Sequence, residues 1–172
     1  YRDSIRREME QTAQDILMQT HNLLNKKATV AEQISESMIY NIETLDVLSA
    51  SFNAHYVQKY HASIVQPIQN ALAFDTSGID AIAIYSNNET LPESWPYLLQ
   101  ENSIDDNGWV SGFKQGGDLE RWIYPDHLNR KESFNGRNER IVRYVRKIYS
   151  LHGRDLGFIS ISMLESTLME DI

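Results

Sequence analysis

The chain has 172 residues, no cysteine, and 24 Asp plus Glu against 16 Lys plus Arg, a formal net charge of −8. That length fits one domain better than two. The absence of thiols excludes disulfide frameworks, thiolate zinc sites and cysteine nucleophiles, and the negative balance argues against nucleic acid as a partner. At 41 % hydrophobic and 23 % charged the composition is that of a folded globular chain and not of a disordered tail. No apolar run approaches the roughly 18 residues that a membrane span needs.

The first proline is Pro67 and the first glycine Gly78, so the opening of the chain lacks both helix breakers. Within it Ile5, Met9, Ala13, Ile16, Thr20, Leu23, Lys27, Val30, Ile34, Met38, Ile42 and Leu45 recur at spacings of three and four, one amphipathic stripe interrupted at Thr20 and Lys27. The spacing predicts one long helix over residues 1–48, broken at Ser49-Ala-Ser-Phe-Asn53, with Asn53 capping a second helix from about Ala54 to Phe74. The alternative is a helical hairpin turning near Asn25-Lys-Lys27. A helix from Asp3 to Leu48 would span roughly 70 Å, whereas a compact domain of this size is about 40 Å across. Part of it must therefore protrude or pair with a partner.

After Gly78 the texture changes to short β-type runs. Ile79–Ser86, Arg140–Ser150 and Leu156–Leu164 read as strands, the last two as an antiparallel hairpin. Between the first two strands lie residues 87–139, which hold five of the eight glycines, three of the four prolines and all three tryptophans. A loop-rich insertion of that length is functional or carries small elements of its own. Two helices followed by an antiparallel sheet make an α+β fold, with residues 49–172 as the domain on which the long helix sits.

No motif for nucleotide, phosphate or metal-assisted chemistry is present, and the reading includes no cofactor and no metal. His55 and His61 are six apart on a predicted helix, about 240° around the axis and unsuited to one metal. Asp105-Asp106-Asn107-Gly108 lacks the alternating ligands and closing Glu of a calcium loop and reads as a turn. A hydrolase using Asp105, Asp126 or Glu139 would lack a positioned nucleophile. The insertion's aromatic residues among Gly, Asn and Asp suit a wall for a small polar ligand, since ring faces stack on sugar C–H surfaces or cations. The candidate ligand-binding residues are Tyr85, Trp109, Trp122, Tyr124, Asp126, Arg143 and Ser160. Arg143 and Arg146 interrupt an apolar strand on opposite faces, and one of them can grip a carboxylate or hydroxyls. In the last strand Phe158, Ser160 and Ser162 face one way and Ile159, Ile161 and Met163 the other, the second set toward the long helix.

The order of "GIDAIAIYSNN", "DNGWVSGFKQ", "DLERWIYPD" and "RYVRKIYSLHGRDLGFISISML" after a long glycine-free helix resembles the extracellular Cache (PAS-like) sensor region of YesM-type membrane histidine kinases of Gram-positive bacteria. The resemblance covers nearly the whole chain. It implies flanking transmembrane helices, a kinase core outside this chain, homodimers through the first helix, a cognate AraC-type response regulator, and a location on the extracellular face of the membrane. The ligand it implies is a carbohydrate or other small polar solute, with amino acids second because Trp122-Ile-Tyr124-Pro-Asp126 is only a loose echo of the amino-acid-binding signature. A chemoreceptor ligand domain and a ligand-free interaction or stress-sensing module are the alternatives.

Overall fold

The computed structural model describes residues 2–75, 78–104, 109–127 and 140–170, apart from the side chains at 16, 17, 20, 21, 23, 24, 124–127 and 168–170. Helix α1 runs unbroken over Arg2–Ile39, which removes the hairpin alternative at Asn25-Lys-Lys27. It ends about ten residues earlier than the apolar spacing predicts, because Asn41 stops it. The Asn41 side chain accepts hydrogen bonds from the backbone N–H of Glu43 (2.9 Å) and Thr44 (3.3 Å), capping a separate helix α2 over Ile42–Ser49. Met38, Ile42 and Leu45 keep helical spacing across the break, so periodicity alone does not reveal it.

Two environments divide α1. From Lys27 onward the residues Lys27, Ala31, Ser35, Met38 and Ile39 are buried, a stripe laid on the sheet. From Arg2 to Lys26 every described side chain is exposed, about 37 Å of helix at 1.5 Å per residue. The end of α1 is tied to the body through Arg146, whose guanidinium donates to Glu36 Oε1 (3.3 Å) and to the Tyr40 hydroxyl (3.1 Å).

Asn53 caps the next helical stretch as expected, accepting from His55 N–H at 2.9 Å. The stretch opens with a 3₁₀ turn at Ala54–Tyr56, continues as α3 (Val57–Tyr60), widens into a π turn at His61–Val65 and closes as α4 (Gln66–Phe74). Pro67 has no N–H to give to the Ser63 carbonyl. That carbonyl instead accepts from Thr44 Oγ1 of α2 at 3.0 Å, inside the core, so one hydrogen bond both compensates the proline and fixes α2 against this helix.

The sheet has five strands: β1 (Ile79–Ser86), β2 (Leu98–Gln100), β3 (Glu120–His127), β4 (Arg140–Tyr149) and β5 (Asp155–Leu164). Their spatial order is β2-β1-β5-β4-β3. The expected antiparallel sheet is mixed, because the short edge strand β2 runs parallel to β1. The insertion supplies β2, helix α5 (Trp109–Gln115) and β3, and helix α6 (Glu165–Glu170) follows β5 directly. Alternation sorts the core into two layers. Ile82, Ile84, Tyr144, Ile159, Ile161 and Met163 join Met38, Leu48 and Ile64 of the helices. Ala83, Tyr85, Val145 and Phe158 pack with Leu99, Phe113 and Ile123 on the opposite face.

β5 lies between β1 and β4 and enters that pairing at Gly157, opposite Ser86 and Ile148. Its φ is +123°, and a Cβ there would sit 1.9 Å from the Tyr85 carbonyl oxygen. Neither the dihedral nor the space admits a side chain. Gly157→Ala should therefore destabilise the chain by about 3 kcal/mol or more. Urea unfolding followed by circular dichroism measures this, and a loss below about 1 kcal/mol would mean that β1 and β5 separate easily at this point.

Candidate functional site

The face of the sheet turned away from α1 to α4 is built by alternate residues of four strands and roofed by α5. β5 contributes Phe158, Ser160 and Ser162, and the register sets Ser160 beside Ala83 and Ser162 beside Ala81 of β1. On its other side β4 contributes Arg143 opposite Ser162 and Val145 opposite Ser160. The centre of this face is thus a floor of four small side chains, Ala81, Ala83, Ser160 and Ser162. Larger groups flank it: Tyr85 stacks on Phe158 (centroids 5.2 Å apart), and Trp109 and Phe113 of α5 meet the same Phe158 ring edge-on at 5.9 and 6.0 Å.

Two cations belong to this face, and both are buried. Arg143 is 1 % exposed; its Nη1 donates to Ser160 Oγ at 2.6 Å and its guanidinium lies 5.4 Å from the Trp109 ring centroid. Lys147 is 7 % exposed; its ammonium donates to the Gly116 carbonyl at 2.6 Å, just beyond the C-terminus of α5, and lies 5.1 Å from the Phe113 centroid. Burying such charges is costly unless hydrogen bonds and ring faces replace water. Ser162 differs from its neighbours: its Oγ is buried and has no hydrogen-bond partner. The other such atom among the described residues, Glu165 Oε2, lies 3.3 Å from Arg140 Nε, within ion-pair range but not aligned for a hydrogen bond. An unbonded buried hydroxyl next to a fixed guanidinium is a vacant hydrogen-bonding position in an otherwise satisfied layer.

Of the residues expected at the site, Tyr85, Trp109, Arg143 and Ser160 come together here. Trp122 does not. It packs against Tyr144 on the helix-covered face (centroids 5.0 Å, 47° between planes) and is 39 % exposed, because strand parity gives the place opposite Arg143 to Ile123. Tyr124 and Asp126 lie on the β3 backbone, with Asp126 opposite Ile141, and their side chains are outside the described residues. Asp105 to Gly108 and Glu139 are outside them too. Lys147 and Phe113 are additions. The signal for Lys147 was its spacing of four from Arg143 along one strand, which places both on one face.

The face behind Trp122 is structural. Burial and the adjoining Glu120 carboxylate, which accepts from its hydroxyl, push the Tyr144 phenol up to about 12. Because the folded state favours the neutral phenol, this contribution is complete below the ordinary phenol range and is lost as pH rises through about 12.

The donors on the α5 face are a guanidinium and two hydroxyls beside ring faces, a set that can hold and orient a polar solute. Among the described residues no group of three or more His, Asp or Glu side chains is placed to hold a metal ion. No protein-family model matches the chain, and no curated protein matches it. Ser162→Ala removes a hydroxyl that bonds nothing, so chemical denaturation should show no loss of stability. Ser160→Ala leaves the buried guanidinium one acceptor short and should cost about 1 to 3 kcal/mol. Equal losses from both substitutions would mean that Ser162 is bonded after all.

Proposed function

We propose that this chain is the extracellular sensing module of a membrane histidine kinase, a PAS-like Cache domain that takes a sugar or other small polar solute on the α5 face and performs no bond-making itself. The observation that carries this reading is the buried, unbonded Ser162 hydroxyl on a floor of small residues, flanked by Arg143, Ser160, Trp109 and Tyr85. The strand order β2-β1-β5-β4-β3, with α1 to α4 on one face and α5 on the other, supports it. So does the continuity of β5, whose next element is α6. Solute on Ser160 and Ser162 touches the strand that runs directly into α6, and it shifts the balance between two packings only by its differential affinity for them. The kinase core, the flanking membrane helices and the AraC-type regulator belong to the same proposal and lie outside this chain. Among the described residues no helix is long and apolar enough to cross a membrane.

A thermal-shift screen with mono- and oligosaccharides, uronic acids, amino acids and short carboxylates tests the reading. Ligand at a hundredfold excess over its Kd stabilises by about 2.7 kcal/mol, a rise in Tm of roughly 5 to 10 °C for a domain of this size. The hit should lose its effect in Arg143→Met. Silence across all classes would move the assignment to a ligand-free interaction module.

The exposed stretch of α1 supports a second element of the proposal, pairing with another copy. Ile5, Met9 and Ala13 form one apolar edge, with Ile5 44 % and Met9 69 % exposed. Its interruption at Lys27 falls where the helix is already buried on its own sheet, so it does not weaken this edge. Sedimentation velocity at rising protein concentration should show a reversible dimer that Met9→Glu abolishes. A monomer at all concentrations would contradict it.

A further inference from the structure

The roof of the candidate site is attached in two different ways at its two sides. At the C-terminal side of α5 the attachment is buried: Lys147 Nζ holds the Gly116 carbonyl, and the Lys147 backbone N–H donates to the Leu119 carbonyl at 2.9 Å. Between these two points lies Gly117, with nothing within 4 Å of where a Cβ would be. Both carbonyls are thus fixed to Lys147, and the joint for α5 is Gly116 itself, whose backbone torsions lie on the helix side of the held carbonyl. At the opposite side the attachment is ionic and close to water. Lys114 Nζ donates to Glu101 Oε1 at 2.6 Å and to the Asp155 carboxylate at 2.8 and 3.0 Å, with 18 % of its side chain exposed. Glu101 follows β2 and Asp155 opens β5, so both partners belong to the body of the domain. Phe113 of α5 is fully buried, in one cluster with Tyr85, Leu99, Ile123, Val145 and Phe158 of the sheet. Apart from Lys114, the Trp109 and Phe113 rings hold the helix to Phe158, with the Arg143 cation over the first ring and the Arg121 and Lys147 cations over the second.

We propose that α5 is a lid over the candidate site, swinging at Gly116 and latched by the ion pairs of Lys114 with Glu101 and Asp155. The inference rests on the reading of that face as a ligand site and assigns its entry route and the residue that regulates it. Ion pairs at the edge of water are individually weak and exchange readily with solvent, whereas the buried bonds at Gly116 do not. Opening therefore begins at Lys114 and lifts Trp109 and Phe113 from Phe158, uncovering Arg143 and the serine pair. Because opening takes Phe113 out of its cluster, the open form is a minor population of the folded chain.

Hydrogen exchange read by mass spectrometry on the whole chain, without any ligand, tests this. In Lys114→Met the amides of Trp109–Gln115 should exchange about tenfold faster than in the wild type while those of Tyr144–Ile148 and Ile159–Met163 keep their rates. Glu101→Gln should act in the same direction by a smaller factor. Unchanged exchange in α5 would mean that the rings alone fix the helix, and a uniform rise over α5 and the strands would make Lys114 part of the global fold; either result overturns the lid. Neither result bears on whether solute binds, since the thermal-shift screen decides that separately.

Discussion

Everything in this domain is organised around β5, a strand buried over nearly its whole length on both of its faces and bonded on both of its edges. Because side chains alternate, the same ten residues must satisfy two unlike environments at once. Ile159, Ile161 and Met163 seal the helices onto the sheet, while Phe158, Ser160 and Ser162 form part of the floor of the α5 face. A slip of register by one residue would send the serines into the helical core and the apolar residues under α5. Gly157 guards against that slip: its close approach to the Tyr85 carbonyl admits one pairing of β1 with β5 and no bulkier residue.

The second organising feature is the place where α1 leaves the body. Lys27, the first buried residue of that helix among the described side chains, has its ammonium 3.7 Å from the position of a Cβ on Gly78, and Thr167 of α6 lies 2.7 Å from the same point. The start of β1, the base of the exposed helix and the continuation of β5 therefore meet at one junction. A displacement of β5 along its length arrives there through α6, the element that follows it. That makes the strand both part of the floor of the candidate site and a mechanical route to the exposed helix, and it is the physical content of the sensing proposal.

Which parts of this were legible in the sequence follows from which forces were local. The absence of Gly and Pro before Pro67 and the apolar runs of β1, β4 and β5 are local signals: the first marks the opening as helical, and the three strands lie within a residue of where the pattern puts them. The end of α1 was hidden because an asparagine side chain, not a change of periodicity, stops it. The π turn at His61–Val65 was hidden because its compensation comes from Thr44, nineteen positions away. β2 is three residues at an edge and carries too little pattern to read. At the site, alternation along β5 placed Ser160 and Ser162 on one face, whereas alternation along β4 only separated Arg143 from Arg146; the register between the strands is what seats Arg143 beside the serines. Clustering of aromatics in the insertion misled for Trp122, since nearness in sequence says nothing about parity, and Ile123 holds the inward place. The latch at Lys114 joins three segments far apart in the chain, and nothing local in the sequence marks it.

The central claim is that the two faces of β5 respond together. Methyl and aromatic NMR of the chain during titration with the solute selected by thermal shift reads both faces in one spectrum. The account predicts that signals of Trp109 and Tyr85 move in step with the methyls of Ile161 and Met163, which lie on the far side of the sheet, and with Met38 of α1, while Leu98 at the sheet edge stays still. Movement confined to Trp109 and Tyr85, with Ile161, Met163 and Met38 unchanged at saturation, would contradict it.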